Sequence, residues 1–136
     1  MAYASNYVPV EQRPRTYFID IDGTIIRQGV KWESHSIARE DDSDALPGSV
    51  DVINDLYTAG HTIVLTTARA QSWKGETERQ LRRIGLQWHL LICGLPTGQR
   101  VVINDHKPAQ SSVPTAFAIN IKRDVGLEGV ELWELR

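Results

Sequence analysis

The chain has 136 residues, enough for one domain and too few for a second core. Apolar residues make up 41% and charged residues 24%, the balance of an ordinary globular protein, and a net charge of −2 provides no global positive field for nucleic acid or anionic lipid. No run approaches the roughly 20 apolar residues of a membrane span, and the N-terminus lacks the apolar core of a signal peptide, so a cytoplasmic protein without a membrane partner is expected.

Residues 1–14 read as an N-terminal tail and 15–136 as a single domain. Tyr17 to Ile21 is strand-like, and a polar connection including "AREDDSD" runs from 25 to 46, closed by Pro47-Gly48. From Ser49 to Ala59, Val50, Ile53 and Leu56 recur on one helical face, with Gly60 at the expected stop. "HTIVLTT" is a β-branched second strand. Trp73, Thr77, Leu81 and Ile84 then line one side of a helix that Gly85 ends. "WHLLIC", "RVVIND", "TAFAINI" and "GVELWEL" are further strand candidates. Cys93, the single cysteine, excludes an internal disulfide and reads as a buried, inert thiol.

Near-continuous apolar strands separated by amphipathic helices predict an α/β fold, a mainly parallel sheet flanked by helices on both faces. In such sheets ligands bind beyond the carboxyl ends of the strands. Three predicted strand ends carry polar chemistry: Asp20-Ile21-Asp22-Gly23-Thr24, Thr66-Thr67-Ala68-Arg69 and Asn104-Asp105. Asp20 and Asp22, two residues apart, would project the same way roughly 6–7 Å from one another. Two carboxylates in a crevice raise each other's pKa unless a cation neutralises them. Mg²⁺ prefers oxygen ligands and keeps waters that a phosphate can displace. Asp105 or Asn104 could complete its protein shell. One carboxylate could attack phosphorus while its neighbour handles protons, and Thr67 could donate hydrogen bonds to the transferring group.

"DIDGT", "IVLTTAR" and "VVIND", in that order, resemble motifs one, two and four of the haloacid dehalogenase (HAD) superfamily over roughly residues 16 to 122. The spacing is similar to that of small HAD-type hydrolases associated with capsular polysaccharide biosynthesis. The resemblance implies a Rossmann-like core with a short flap in place of a cap domain. It also implies a Mg²⁺-dependent phosphohydrolase working through an aspartyl-phosphate. Asp20 then matches the nucleophile, and Asp22 the general acid/base whose backbone carbonyl also binds metal. Gly23 and Thr24 shape the turn, Thr67 matches the motif-two hydroxyl with Thr66 as its substitute, and Ala68 and Arg69 flank it. Asn104 and Asp105 match the metal-binding pair.

Two departures stand out. Relatives of this kind often carry Gly-Lys-Pro before motif four, whereas this chain reads Gly94-Leu95-Pro96 and lacks the lysine that neutralises nucleophile and phosphate. Lys107 and Lys74 are the nearest replacements, with Arg69 and Arg100 behind them. The second departure is Asn104, which keeps a carbonyl oxygen but removes a charge where an aspartate is common. The loss of the lysine keeps open an alternative reading, a catalytically weak phosphate- and metal-binding or regulatory module. A connection of only 25–47 leaves the site open, which suits a large phosphorylated substrate or a homo-oligomer whose neighbours act as lids.

Overall fold

The computed structural model describes residues 8–28, 45–106 and 113–132. The protein is an α/β fold with a three-stranded parallel sheet, β1 (Thr16–Asp20), β2 (Thr62–Thr66) and β3 (Leu90–Ile92), ordered β1-β2-β3. Asp20 pairs in register with Thr66, and Thr66 with Ile92, so all three strands end together at one edge. Helix α1 (Ser49–Thr58) joins β1 to β2; a 3₁₀ turn (Gln71–Trp73) and α2 (Lys74–Arg83) join β2 to β3.

The helices follow their predicted periodicity. α1 buries Ser49, Ile53 and Leu56, and α2 buries Thr77, Gln80 and Leu81. Two successive crossovers in one direction, each of the near-universal right hand, place both helices on one face of the sheet. There Ile53, Leu56 and Leu81 pack with Ile19, Ile63, Leu65 and Leu91 in a single core. At about 1.5–3 kcal/mol for each fully buried aliphatic side chain, this face supplies the main hydrophobic stabilisation. On the other face Phe18, Leu90 and Ile92 remain 60%, 57% and 41% exposed. In the central strand Val64 and Thr66 on that face are buried, so among the described residues this second face is covered only in part.

Three predicted strands are corrected as well. Residues 101–105 form no strand: Val101, Val102 and Ile103 are consecutive and all exposed, where a sheet strand would turn alternate residues inward. The 115–121 segment is also irregular. The described part of "GVELWEL" does reach the core, since Leu132 is buried, but without a ladder. The Leu132 carbonyl instead accepts from the Tyr17 hydroxyl at 3.0 Å and from Arg15 Nη1 at 3.2 Å. An apolar run signals burial or extension, but only a partner edge makes it a strand.

The C-terminal segment closes back over α1. Gly48 caps α1 at φ +75°, and a Cβ there would lie 2.7 Å from the Glu128 backbone. The Pro47 carbonyl accepts from the Leu127 and Glu128 amides at 3.1 and 3.3 Å. This docking carries residues 121–124 back across the exit of β1. Most of the expected flap, at 29–44, and Lys107 lie outside the described residues. No helix among the described residues is long and apolar enough to cross a membrane.

Candidate functional site

The turn after β1 is built on isoleucines. Ile21, Ile25 and Ile26 are fully buried, and the Ile21 carbonyl accepts from the amides of Thr24, Ile25 and Ile26 at 2.8–3.2 Å. With Ile21 drawn into the core, Asp20 and Asp22 on either side stay at the surface edge. Gly23 makes the turn at φ +91°, a conformation that costs an ordinary L-residue about 1–2 kcal/mol. Below it, the buried Ser49 hydroxyl donates to the Thr24 carbonyl at 2.7 Å and ties the turn to α1.

Arg69 is the organising residue. It is wholly buried, which is tolerable only because its donors find partners. Nε and Nη2 donate to Asp22 Oδ2 and Oδ1 at 2.9 and 2.8 Å, the bidentate fork that suits a carboxylate. Nη1 donates to Gln80 Oε1 at 2.8 Å and to Thr77 Oγ1 at 3.3 Å, both on α2. Arg69 thus faces Asp22 and the interior. The Asp20 carboxyl is pushed above its ordinary value, first by the protein atoms crowding it and then by the charge of Asp22, while Arg100 and Arg69 oppose the shift. Asp20 as a residue nonetheless remains exposed, open to a ligand.

At the end of β2, Thr66 is buried and register-paired to Asp20, and Thr67 is almost fully buried. The Thr67 hydroxyl accepts the Arg69 amide at 3.0 Å, and the half-buried Ala68 lies between them. The Gly94-Leu95-Pro96 loop abuts this turn: Gly94 N donates to the Arg69 carbonyl at 2.7 Å and Leu95 N to the Thr67 carbonyl at 3.1 Å. Leu95 therefore sits beside Thr67 and Arg69.

Asp20, Asp22, Gly23, Thr24, Gln28, Ile121 and Arg123 line a cleft of about 200 Å³. A larger hollow, about 350 Å³ around Tyr57, Glu78 and Trp88, lies by the start of β3, away from these strand ends. Of the replacement cations, Arg69 and Arg100 lie within electrostatic range of Asp20. Arg100 folds onto its own loop, donating to the Pro96 and Gly98 carbonyls at 3.0 Å each. Lys74 acts on Cys93, a buried thiol pushed upward chiefly by that burial. Asn104 and Asp105 are both exposed and contact Thr115, Asn104 through Nδ2 at 3.5 Å and Asp105 through its carbonyl. They do not line the cleft of Asp20 and Asp22.

Sequence reasoning missed Thr77 as an Arg69 partner, Gln80, Gln28, Arg123 and Asp124. Gln80 had one weak signal, a polar residue falling within the apolar stripe of α2; Arg123 had none, because only folding brings it to β1.

Among the described residues no three His, Cys, Asp or Glu side chains converge as a metal cage. The cleft nevertheless offers hard oxygens from Asp20, Asp22, Thr24 and Gln28, which suits Mg²⁺, an ion commonly held by one or two carboxylates with waters and substrate phosphate. In comparisons with known protein families, curated proteins and solved structures, the chain matches none.

Proposed function

We propose that the protein is a HAD-like phosphohydrolase that cleaves phosphate monoesters through an aspartyl-phosphate on Asp20. The observation that carries this reading is the cleft at the strands' carboxyl edge, where an exposed Asp20 lies beside an Asp22 held in place by Arg69. An Asp20 carboxylate oxygen attacks phosphorus, and the bond from phosphorus to the leaving oxygen breaks. Asp22 supplies a proton to that oxygen and then takes one from the water that attacks the aspartyl-phosphate, releasing orthophosphate and restoring Asp20. Both Asp22 oxygens accept from Arg69, so proton transfer requires one of them to turn toward the substrate. Thr67, or Thr66 in its place, contributes a hydroxyl to the phosphoryl group. Mg²⁺ would be held by Asp20 and the Asp22 carbonyl and would screen charge on the phosphate; Asn104 and Asp105, the further ligands that the HAD resemblance implies, lie outside this cleft. The substrate is a phosphorylated molecule, met by one chain or by a homo-oligomer.

The test is release of phosphate from an aryl phosphate with Mg²⁺. Asp20→Asn should abolish it without altering the circular dichroism, and chelation by EDTA should do the same to the wild type. A wild type inert across a broad panel of phosphate esters with Mg²⁺, Mn²⁺ and Co²⁺ would sink the enzyme reading.

A second reading has its own support. Leu95 carries no charge beside Thr67, which suits a phosphate- and metal-binding module with weak turnover. Such a module would bind orthophosphate while leaving every ester intact.

A further inference from the structure

We propose that Arg123 supplies the cationic contact to the phosphoryl oxygens of the substrate, the charge that Leu95 cannot provide. This rests on the phosphohydrolase reading for the substrate class, but Arg123 as an anion-binding residue stands on its own geometry.

Arg123 and Ile121 line the same cleft as Asp20 and Asp22. The arginine's stem lies against the turn after β1, for a Cβ on Gly23 would sit 3.2 Å from Arg123 Cγ and 3.9 Å from its Nε. Glycine at this position thus serves both the turn and the seat of the arginine. Two hydrogen bonds staple the 121–124 segment here: Asp124 N donates to the Gly23 carbonyl at 2.9 Å, and Gln28 N donates to Asp124 Oδ1 at 2.7 Å. Asp124 adopts φ +64° to make both bonds, so the segment is bent to fit the turn.

The charges in the cleft point the same way. Arg69 is consumed by Asp22, and Arg100 is turned onto its own loop carbonyls. Among the described residues Arg123 makes no ion pair, and it is exposed. Once Asp22 is balanced by Arg69, the cleft retains one exposed acid, Asp20, and one exposed guanidinium, Arg123. A phosphate monoester in this cleft meets both a nucleophile and a planar fork of donors, and such a fork binds phosphate well. Recognition is of the phosphoryl group, and the open cleft leaves the organic part of the ester outside.

The experiment uses the full chain in Mg²⁺ buffer, with binding of inorganic phosphate by titration calorimetry and hydrolysis of an aryl phosphate measured in parallel. Arg123→Met should weaken phosphate binding roughly tenfold or more, since a hydrogen bond to a charged group is lost, and raise KM correspondingly. Arg123→Lys should recover part of both, and Lys122→Met, a neighbouring loss of equal charge, should change neither by more than about twofold. Equal binding by Arg123→Met and wild type, an equal loss in Lys122→Met, or a wild type that binds no phosphate each overturns the proposal. The two readings fail separately. Arg123-dependent phosphate binding without ester hydrolysis leaves Arg123 assigned and removes the enzyme; hydrolysis indifferent to Arg123→Met does the reverse.

Discussion

The Asp22 carboxylate is held by Arg69 through two hydrogen bonds of 2.8 and 2.9 Å, the guanidinium wholly buried and the Asp22 side chain 14% exposed. Through this pair the exit of β1 is fastened to α2, because the remaining Arg69 donors reach Gln80 and Thr77. Removing Arg69 would strand an acid and two polar acceptors at once. Arg69→Met is expected to destabilise the protein by about 3 kcal/mol, the lower end for a broken buried pair since Asp22 keeps some solvent. Arg69→Lys should recover only part, because an ammonium cannot bridge both Asp22 oxygens and α2. Urea denaturation of the three proteins measures this.

Asp20 predicts a trade between stability and function. Its folded-state pKa is raised above the ordinary 3.8, so the native state holds its proton more tightly than the unfolded chain does. Stability therefore falls as pH rises through that window, and the ionised Asp20 is a net cost at neutral pH. Asp20→Asn should be more stable than wild type at pH 7 in EDTA, with the difference shrinking as pH falls toward about 4 and gone below it. Thermal melts across that range check it; a less stable variant at pH 7 would contradict the assignment.

His61 sets a second pH dependence, of opposite sign. Its Nδ1 accepts the Arg15 amide at 2.9 Å, and burial, then the Arg15 charge, lowers its pKa below 6.5. The unfolded chain thus binds a proton that the folded one resists, so stability is complete above pH 6.5 and declines as pH falls below it. His61→Leu should flatten the stability profile between pH 7 and 5, read by urea midpoints.

Gly48 tests the docking of the C-terminal segment. Alanine there would adopt φ +75° and bring a methyl 2.7 Å from the Glu128 backbone. The conformation alone costs about 1–2 kcal/mol, and the backbone clash adds to it. Gly48→Ala should therefore lose about 2 kcal/mol or more in chemical denaturation.

Local pattern made much of the fold legible. The 3.6-residue spacing of Ile53 and Leu56 and of Thr77 and Leu81 marked both helices, and the β-branched runs marked β1 and β2. The same logic overreached at 101–105 and 115–121, because an apolar run carries no information about which edge receives it. Composition also could not show that, among the described residues, Phe18, Leu90 and Ile92 stay exposed on one sheet face while Val64 between them is buried.

The candidate site divides along the same line. By itself the sequence determined that Asp20 and Asp22 leave one strand together, that Thr67 and Arg69 leave another, and that no lysine stands at Leu95, since all three are matters of short-range order. Tertiary structure alone decided the partners. It turned Arg69 inward to Asp22 and α2, set Asn104 and Asp105 against Thr115, and brought Arg123 from about a hundred residues away into the cleft of Asp20. Charge pairing depends on distance through space, and only the crossovers of the chain and the docking of 121–130 create those distances.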